Sequence, residues 1–284
     1  MYKDEYKKTY KTIPFAIHKT YNDHRGGGVI AHQHREVELI ALTEGRVDFY
    51  IEAQCYSMQC GDVLVIPPYA IHRAEIPADT LTAYNCICFD VDLLWDKELC
   101  TGLLEHTLSV KPLISHDTPY AKRLQDYVAA GCDAYEGQKS GWEMEAIGSM
   151  HLLFSILKQN DCFASNAAPH SANSFAQKAI DYIAKHYATP ITSTTTAVAL
   201  YMNNSYFCRL FKKVFGCCFS DYVLAYRLEK AKAMLDHTQL SVTEIAFQCG
   251  FNGCSYFGKT FRRRFGVSPL SYRKSTAVRA LNIP

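Results

Sequence analysis

The sequence predicts an α+β protein of two domains. An antiparallel β-barrel with a helical hairpin spans 1–160, a linker 161–173, and an all-α domain of two helix-turn-helix units 174–284. Three observations predict this. Short β-branched and aromatic segments follow one another between about residues 28 and 93 with no helical pattern between them, as in an antiparallel sandwich or small barrel. From Pro119 the apolar spacing turns helical. The block SYFCRLFKKVFGCCFSDY (205–222) recurs as SYFGKTFRRRFGVSPLSY (255–272), an offset of 50.

The N-terminus, MYKDEYKKTYKTIPF, is charged and aromatic, and no apolar run reaches the ~18 residues of a membrane span, so a cytoplasmic protein without signal peptide or membrane contact is expected. The strands expected are GVIAHQH, VELIALTEG, RVDFYIEA, GDVLVIPP and LTAYNCICFDV. AKRLQDYVAAGCDAYEG and WEMEAIGSMHLLFSILKQN then form two antiparallel helices around a Gly137–Gly141 turn, and DCFASNAAPHSAN (161–173) reads as the linker. The 12 cysteines are expected to stay reduced. Cys86-Ile-Cys88 and Cys217-Cys218 lack the CxxC spacing of zinc sites, and most of the thiols read as small apolar residues.

The chain's net charge of +2 conceals an asymmetry: residues 172–284 carry 15 basic and 5 acidic side chains, net +10, whereas residues 1–171 carry 15 and 23, net −8. A basic half points to a polyanion, and double-stranded DNA is the partner this pattern favours. In the second copy Ser241 is an N-cap with Glu244 three residues on, and a short apolar helix ends at Gly250. In the next helix Phe257, Phe261 and Phe265 recur every fourth residue as a buried stripe, turning Ser255, Gly258, Lys259, Arg262 and Arg263 outward. In the first copy Thr196–Met202 is the expected support helix, Asn203 the cap and Asn204–Lys213 the outward helix with Ser205, Cys208, Arg209 and Lys212 exposed. The polar run Thr192–Thr196 predicts a less firmly packed first unit, and the Ser241–Glu244 pair a stronger cap in the second.

Residues from about 174 to 274, through SYFCRLFKKVFG, YRLEKAKAMLDHTQLSVTEIAFQCGF and SYFGKTFRRRFGVSPLSYRK, resemble the C-terminal domain of the AraC/XylS regulators. The resemblance implies two helix-turn-helix units joined by one long helix, here about Asp221–Leu235, entering successive major-groove segments. It implies base contacts at Ser205, Cys208 and Arg209 and at Cys254, Ser255 and Lys259, with Lys212, Arg262 and Arg263 on phosphates. It also implies a homodimer, RNA polymerase as a partner, and an effector-responsive activator rather than an enzyme, with no catalytic residues.

Upstream, Gly26, His32, His34, Glu38 and Gly45 fit the cupin pattern G-x5-HxH-x3-E-x6-G, and Gly61-DVLVI-Pro67-PYAI-His72 resembles most of the second cupin motif, with Tyr69 in place of its Gly and Ile76 in place of its Asn. The fold expected is therefore cupin-like. Three readings of His32, His34, Glu38 and His72 stand open: a divalent metal site, a pocket that hydrogen-bonds a small polar effector with no cofactor required, and structural residues at the barrel mouth. A carbohydrate is the effector class the resemblance favours. Phe49, Tyr50, Tyr56 and Trp95 offer aromatic surface for stacking on a sugar or for the core. Leu152, Leu153, Ile156 and Leu157 form a stripe for a partner helix or for the barrel. The alternative function is a metal-dependent cupin enzyme on the same four residues, fused to a DNA-binding domain.

Overall fold

A computed structural model describes residues 15–23, 27–52, 54–77, 80–166 and 172–274. The chain divides into two compact units, Met1–Ser174 and Phe175–Pro284. Gly26 of the first motif lies outside the described residues.

The strands of the first unit are β1 (Phe15–Asp23), β2 (Gly27–His32), β3 (Val37–Glu44), β4 (Arg46–Ile51), β5 (Gln54–Gln59), β6 (Val63–Ile66), β7 (His72–Ile76), β8 (Leu81–Phe89), β9 (Leu108–Val110), β10 (Leu113–Ile114) and β11 (Phe163–Ser165). They form an antiparallel five-stranded sheet in the order β1-β8-β3-β6-β10, a four-stranded sheet in the order β2-β7-β4-β5, and the pair β9-β11. Among the described residues no ladder joins the two large sheets, so the barrel expected from sequence is an open two-sheet sandwich.

Strand alternation gives the five-stranded sheet two apolar faces. Ile40, Leu42, Leu64, Ile66, Tyr84, Cys86 and Cys88 point into the space between the sheets, meeting Val47, Phe49, Met58, Ala74 and Ile76 from the four-stranded sheet. Val37, Leu39, Ala41, Val63, Val65, Ile87 and Phe89 point the other way, onto a helical layer. That layer comprises α1 (Lys97–Leu104), α2 (Ala121–Gly137) and α3 (Trp142–Gln159). The helical hairpin is where its pattern predicts, but its stripe is consumed internally: Leu153, Ile156 and Leu157 are core residues, and Leu152 alone of the four is exposed.

Two other expectations change. Within the expected linker, Phe163–Ser165 pairs with Leu108–Val110, and a helix has begun by Ala172; residues 167–171 lie outside the described set. The four aromatics form no common surface. Phe49 is core, Tyr50 faces away with the Arg73 guanidinium 3.5 Å over its ring, Tyr56 sits across from Phe49, and exposed Trp95 follows the 3-10 turn Val91–Leu94 beside His151.

The second unit contains α4 (Ala172–His186), α5 (Ser193–Ala199), α6 (Asn204–Phe215), α7 (Phe219–His237), α8 (Val242–Gln248) and α9 (Cys254–Phe265). Phe207, Phe211 and Phe215 of α6 are fully buried against Phe219 and Tyr222 of α7; the Phe211 and Phe215 rings stack at 4.0 Å. Around α9 the core is mixed: Phe257 and Phe261 pack with Leu228, Leu235, Ile245, Ala246 and Phe251. Arg227 of α7 donates to the carbonyls of Tyr187 (2.7 Å) and Thr189 (2.9 Å), satisfying orphan acceptors just beyond α4.

Candidate functional site

The first reading helix starts, and both reading helices stop, by identifiable local chemistry. The Asn203 side chain accepts from the amides of Ser205 and Tyr206 at the start of α6, and α6 and α9 each end at a glycine with positive φ, Gly216 (76°) and Gly266 (77°). The support helix α5 begins earlier than expected, at Ser193, and α6 extends to Phe215. The Thr192 hydroxyl caps the Thr195 amide and the Thr195 side chain returns the bond, so the polar run is a capping box equivalent to Ser241–Glu244 in front of α8. Thr196 is fully buried, its hydroxyl donating to the Thr192 carbonyl at 2.8 Å. The expected weakness of the first unit is corrected on both counts.

Burial of the phenylalanine stripes leaves Ser205, Cys208, Arg209 and Lys212 exposed on α6, and Cys254, Ser255, Lys259, Arg262 and Arg263 exposed on α9. Within the second unit, a cleft of about 1170 Å³ opens between the two helix-turn-helix repeats, lined by Cys208, Lys212, Ser220, Arg227, Gly253 and Ser255 among others. Arg264 is bonded to Glu229 at 3.3 Å, anchoring α9 to α7. Sequence reasoning passed over Tyr206 and Tyr256, exposed at matching positions of the two copies; their identity at the offset of 50, off the buried stripe, is the signal that could have found them.

The four residues singled out in the first unit do meet. The ligand atoms of His32, His34, Glu38 and His72 all lie within 4.8 Å of one another, between the sheets. His32 and His72 face each other across the β2–β7 ladder, ring centroids 4.1 Å apart. His34 lies beyond the end of β2 rather than on it, and Tyr69, standing where the motif has glycine, adopts the left-handed φ of 59° while its amide donates to the His34 carbonyl. Oε2 of Glu38 sits 3.2 Å from His34 Nε2 and 2.9 Å from His72 Nε2.

Two thiols belong to the same cluster, contrary to their reading as small apolar residues. Cys88 lies directly across from Glu38 in the β3–β8 ladder, and Cys86 donates to Glu38 Oε1 at 3.0 Å. The signal was present: in a strand, C-x-C places both side chains on one face, as CxxC does in tighter turns. Burial opposes charge on Glu38, but His34 and His72 outweigh it and hold the carboxyl well below its ordinary range. Burial likewise opposes charge on His34, yet hydrogen bonds with Cys88 and Glu38 hold that imidazole well above its ordinary range. Burial, reinforced by His72 and His34, pushes His32 well below it. The site is thus a buried, internally polarised set of nitrogen, oxygen and sulfur donors able to bind a cation or a polar group.

Comparison with known proteins agrees with both halves. The AraC-like ligand binding domain family matches residues 15–154, and a helix-turn-helix domain family matches 196–275. The chain is 26% identical over 92% of its length, and 92% of the relative's, to the uncharacterized HTH-type transcriptional regulator YdeC of Bacillus subtilis. It is 24% identical to the melibiose operon regulatory protein of Escherichia coli K12, over 89% of this chain and 86% of that one. The crystal structure of ToxT from Vibrio cholerae O395 shares the fold at 12% identity, with a TM-score of 0.52 over 92% of this chain and 97% of its own. No helix among the described residues is long and apolar enough to cross a membrane. The two family matches cover most of the chain, which belongs to the AraC family of helix-turn-helix transcriptional regulators and carries their ligand-binding domain ahead of the DNA-binding half.

Proposed function

We propose that this chain is a sequence-specific, effector-controlled transcription activator whose first unit senses a small molecule. The observation that carries the reading is the pairing of two outward-facing basic helices in one unit with a buried, convergent polar cluster in the other. Ser205, Cys208 and Arg209, with Cys254, Ser255 and Lys259, contact base edges; Lys212, Arg262 and Arg263 neutralise phosphates. The effector is recognised at or beside His32, His34, Glu38 and His72, and the name of the melibiose operon relative supports a carbohydrate. By resemblance to the family, a homodimer contacts RNA polymerase. An effector acts here only by binding one state of the protein more tightly than another.

The test is selection of bound sequences from random DNA with the full chain, with and without a panel of sugars. The expected result is an enriched site with two separately readable blocks, one per reading helix, and an affinity that shifts with one class of sugar. Equal affinity for all sequences would sink the regulator reading; a site indifferent to every compound would sink the sensor reading.

A further inference from the structure

We propose that the cleft between the two helix-turn-helix repeats is a thiol-modification site. Cys208 there forms a mixed disulfide with an anionic, peptide-sized disulfide of the glutathione kind, and the adduct closes the reading surface to DNA. The inference rests on the reading above that α6 reaches DNA, and it adds a control on that step which is separate from the effector.

Three observations carry it. The first is a pair of thiols in one cavity. Cys208 and Cys218 are both exposed and both line the cleft of about 1170 Å³, while Cys249 of the same unit is buried. Ordinary small-molecule sites occupy about 300–1,000 Å³, so a tripeptide fits. Second, the two thiols stand in opposite charge settings. Cys208 donates to the neutral Asn204 Oδ1 at 3.6 Å, and Lys212, one turn further along α6, shares its face and lines the same cleft. Cys218 instead donates to the Asp221 carboxylate at 2.9 Å and lies 3.0 Å from the Ser220 hydroxyl. A carboxylate-bearing reagent is drawn to the first and repelled from the second, and the net charge of +10 on residues 172–284 gathers such reagents. Third, Cys208 stands among the outward side chains of α6, next to Arg209 and one turn after Ser205, all three exposed. A glutathionyl group there adds bulk and negative charge, which the phosphate backbone repels.

The exchange balances with the disulfide as its only co-reactant. The Cys208 thiolate attacks one sulfur of the disulfide, a new S–S bond forms as the old one breaks, and the departing thiolate takes up the proton that Cys208 released. Cys208 is oxidised, and the half of the disulfide that leaves as a free thiol is reduced. Excess free thiol runs the same step backwards, so the block on DNA follows the ratio of disulfide to thiol around the protein. Cys86, Cys88, Cys100, Cys132 and Cys162 are buried and take no part.

The experiment treats the full-length protein with glutathione disulfide and reads the same samples twice, by peptide mass mapping and by affinity for a sequence selected with the reduced protein. The expected result is a glutathionyl group on Cys208, affinity lower by about tenfold or more, the scale of one or two lost base contacts, and recovery with dithiothreitol. Cys208 lies on the reading surface, so each variant is compared with its own reduced form. Cys208→Ser should bind DNA equally with and without the disulfide; Cys208→Ala replaces it if circular dichroism shows that it does not fold. Removing the other exposed thiols, in Cys55→Ser/Cys60→Ser/Cys218→Ser/Cys254→Ser, should leave the block in place. Cystamine, a cationic disulfide, should modify Cys218 ahead of Cys208. The inference is overturned by a block that survives in Cys208→Ser, by no adduct on Cys208 or one that leaves affinity unchanged, by an internal Cys208–Cys218 disulfide in its place, or by the same order of modification with both reagents. Reduced protein that selects no sequence defeats the reading of α6, and with it the block; a selected sequence whose binding ignores the adduct defeats this inference alone.

Discussion

The two helix-turn-helix units reach the same outward face by different interiors. The first is held by aromatic rings: Phe211 alone meets the rings of Phe207, Phe215, Phe219 and Tyr222. The second mixes three buried phenylalanines, Phe251, Phe257 and Phe261, with aliphatic side chains and the small residues Ala246 and Cys249, and Phe261 meets three rings, Phe257, Phe265 and Tyr272. Their turns differ as well. Met202 and Phe251 are equivalent, since their amides bond the carbonyls of Ala197 and Ala246, but the first reading helix is capped by the very next residue, Asn203, and the second only after Asn252, by Gly253. The support helices therefore align at an offset of 49 and the reading helices at 50. Repetition here keeps the phenylalanine stripe and the basic character of the outward face, while the partners that pack on the stripe differ between the copies.

The largest expected effect tests the interiors. Phe211→Ala and Phe261→Ala should each cost about 3–5 kcal/mol, with Phe211 at the upper end because four rings lose a partner; urea midpoints check this, and a larger loss at Phe261 would break the contrast. The turns come next. Gly250 has φ 79°, and a Cβ there would stand 2.7 Å from the Tyr187 carbonyl oxygen, so Gly250→Ala should cost about 1–3 kcal/mol. Tyr201, also left-handed at 57°, is 98% exposed, so Tyr201→Ala should leave the melting temperature nearly unchanged.

On the shared surface, Arg209→Ala and Lys259→Ala should each relax discrimination at one base pair by about 1–3 kcal/mol, measured on operators substituted base by base. Uniform weakening across all substituted sites would show that they bind phosphate instead. The caps should behave alike: Thr192→Ala and Ser241→Ala each cost about 1 kcal/mol, and a silent Thr192→Ala would restore the weaker first cap expected from sequence. Smallest of all, Lys212→Ala should lower the slope of log affinity against log salt by about 0.9 without altering preference, as one lost phosphate contact does.

What was legible in the sequence was whatever repeats or alternates. The phenylalanine stripes, the hairpin around Gly137–Gly141 and the convergence of His32, His34, Glu38 and His72 follow from periods of 3.6 and 2 and from motif spacing. Features that depend on partners distant in sequence were not. β1, FAIHKTYND, is too polar to announce itself and exists as a strand because β8 pairs with it along its whole length. Closure of a barrel depends on ladders between sheets, which no local pattern encodes. Thr192–Thr196 was misjudged because threonine is weak inside a helix yet strong at its start, and the reciprocal partner was threonine rather than the usual Glu or Gln. Cys86 and Cys88 read as small apolar residues because the CxxC spacing belongs to turns, whereas in a strand C-x-C is the spacing that puts both thiols on one face.

Glu38 and the two thiols ride on one sheet, while His32 and His72 ride on the other. Whatever occupies the space among them is fastened to both leaves of the sandwich at once, and the His34 and His72 side chains are 2% exposed. A motion that parts the leaves would separate the Glu38 side of the cluster from the His32 and His72 side, so occupancy of the site and breathing of the sandwich are coupled.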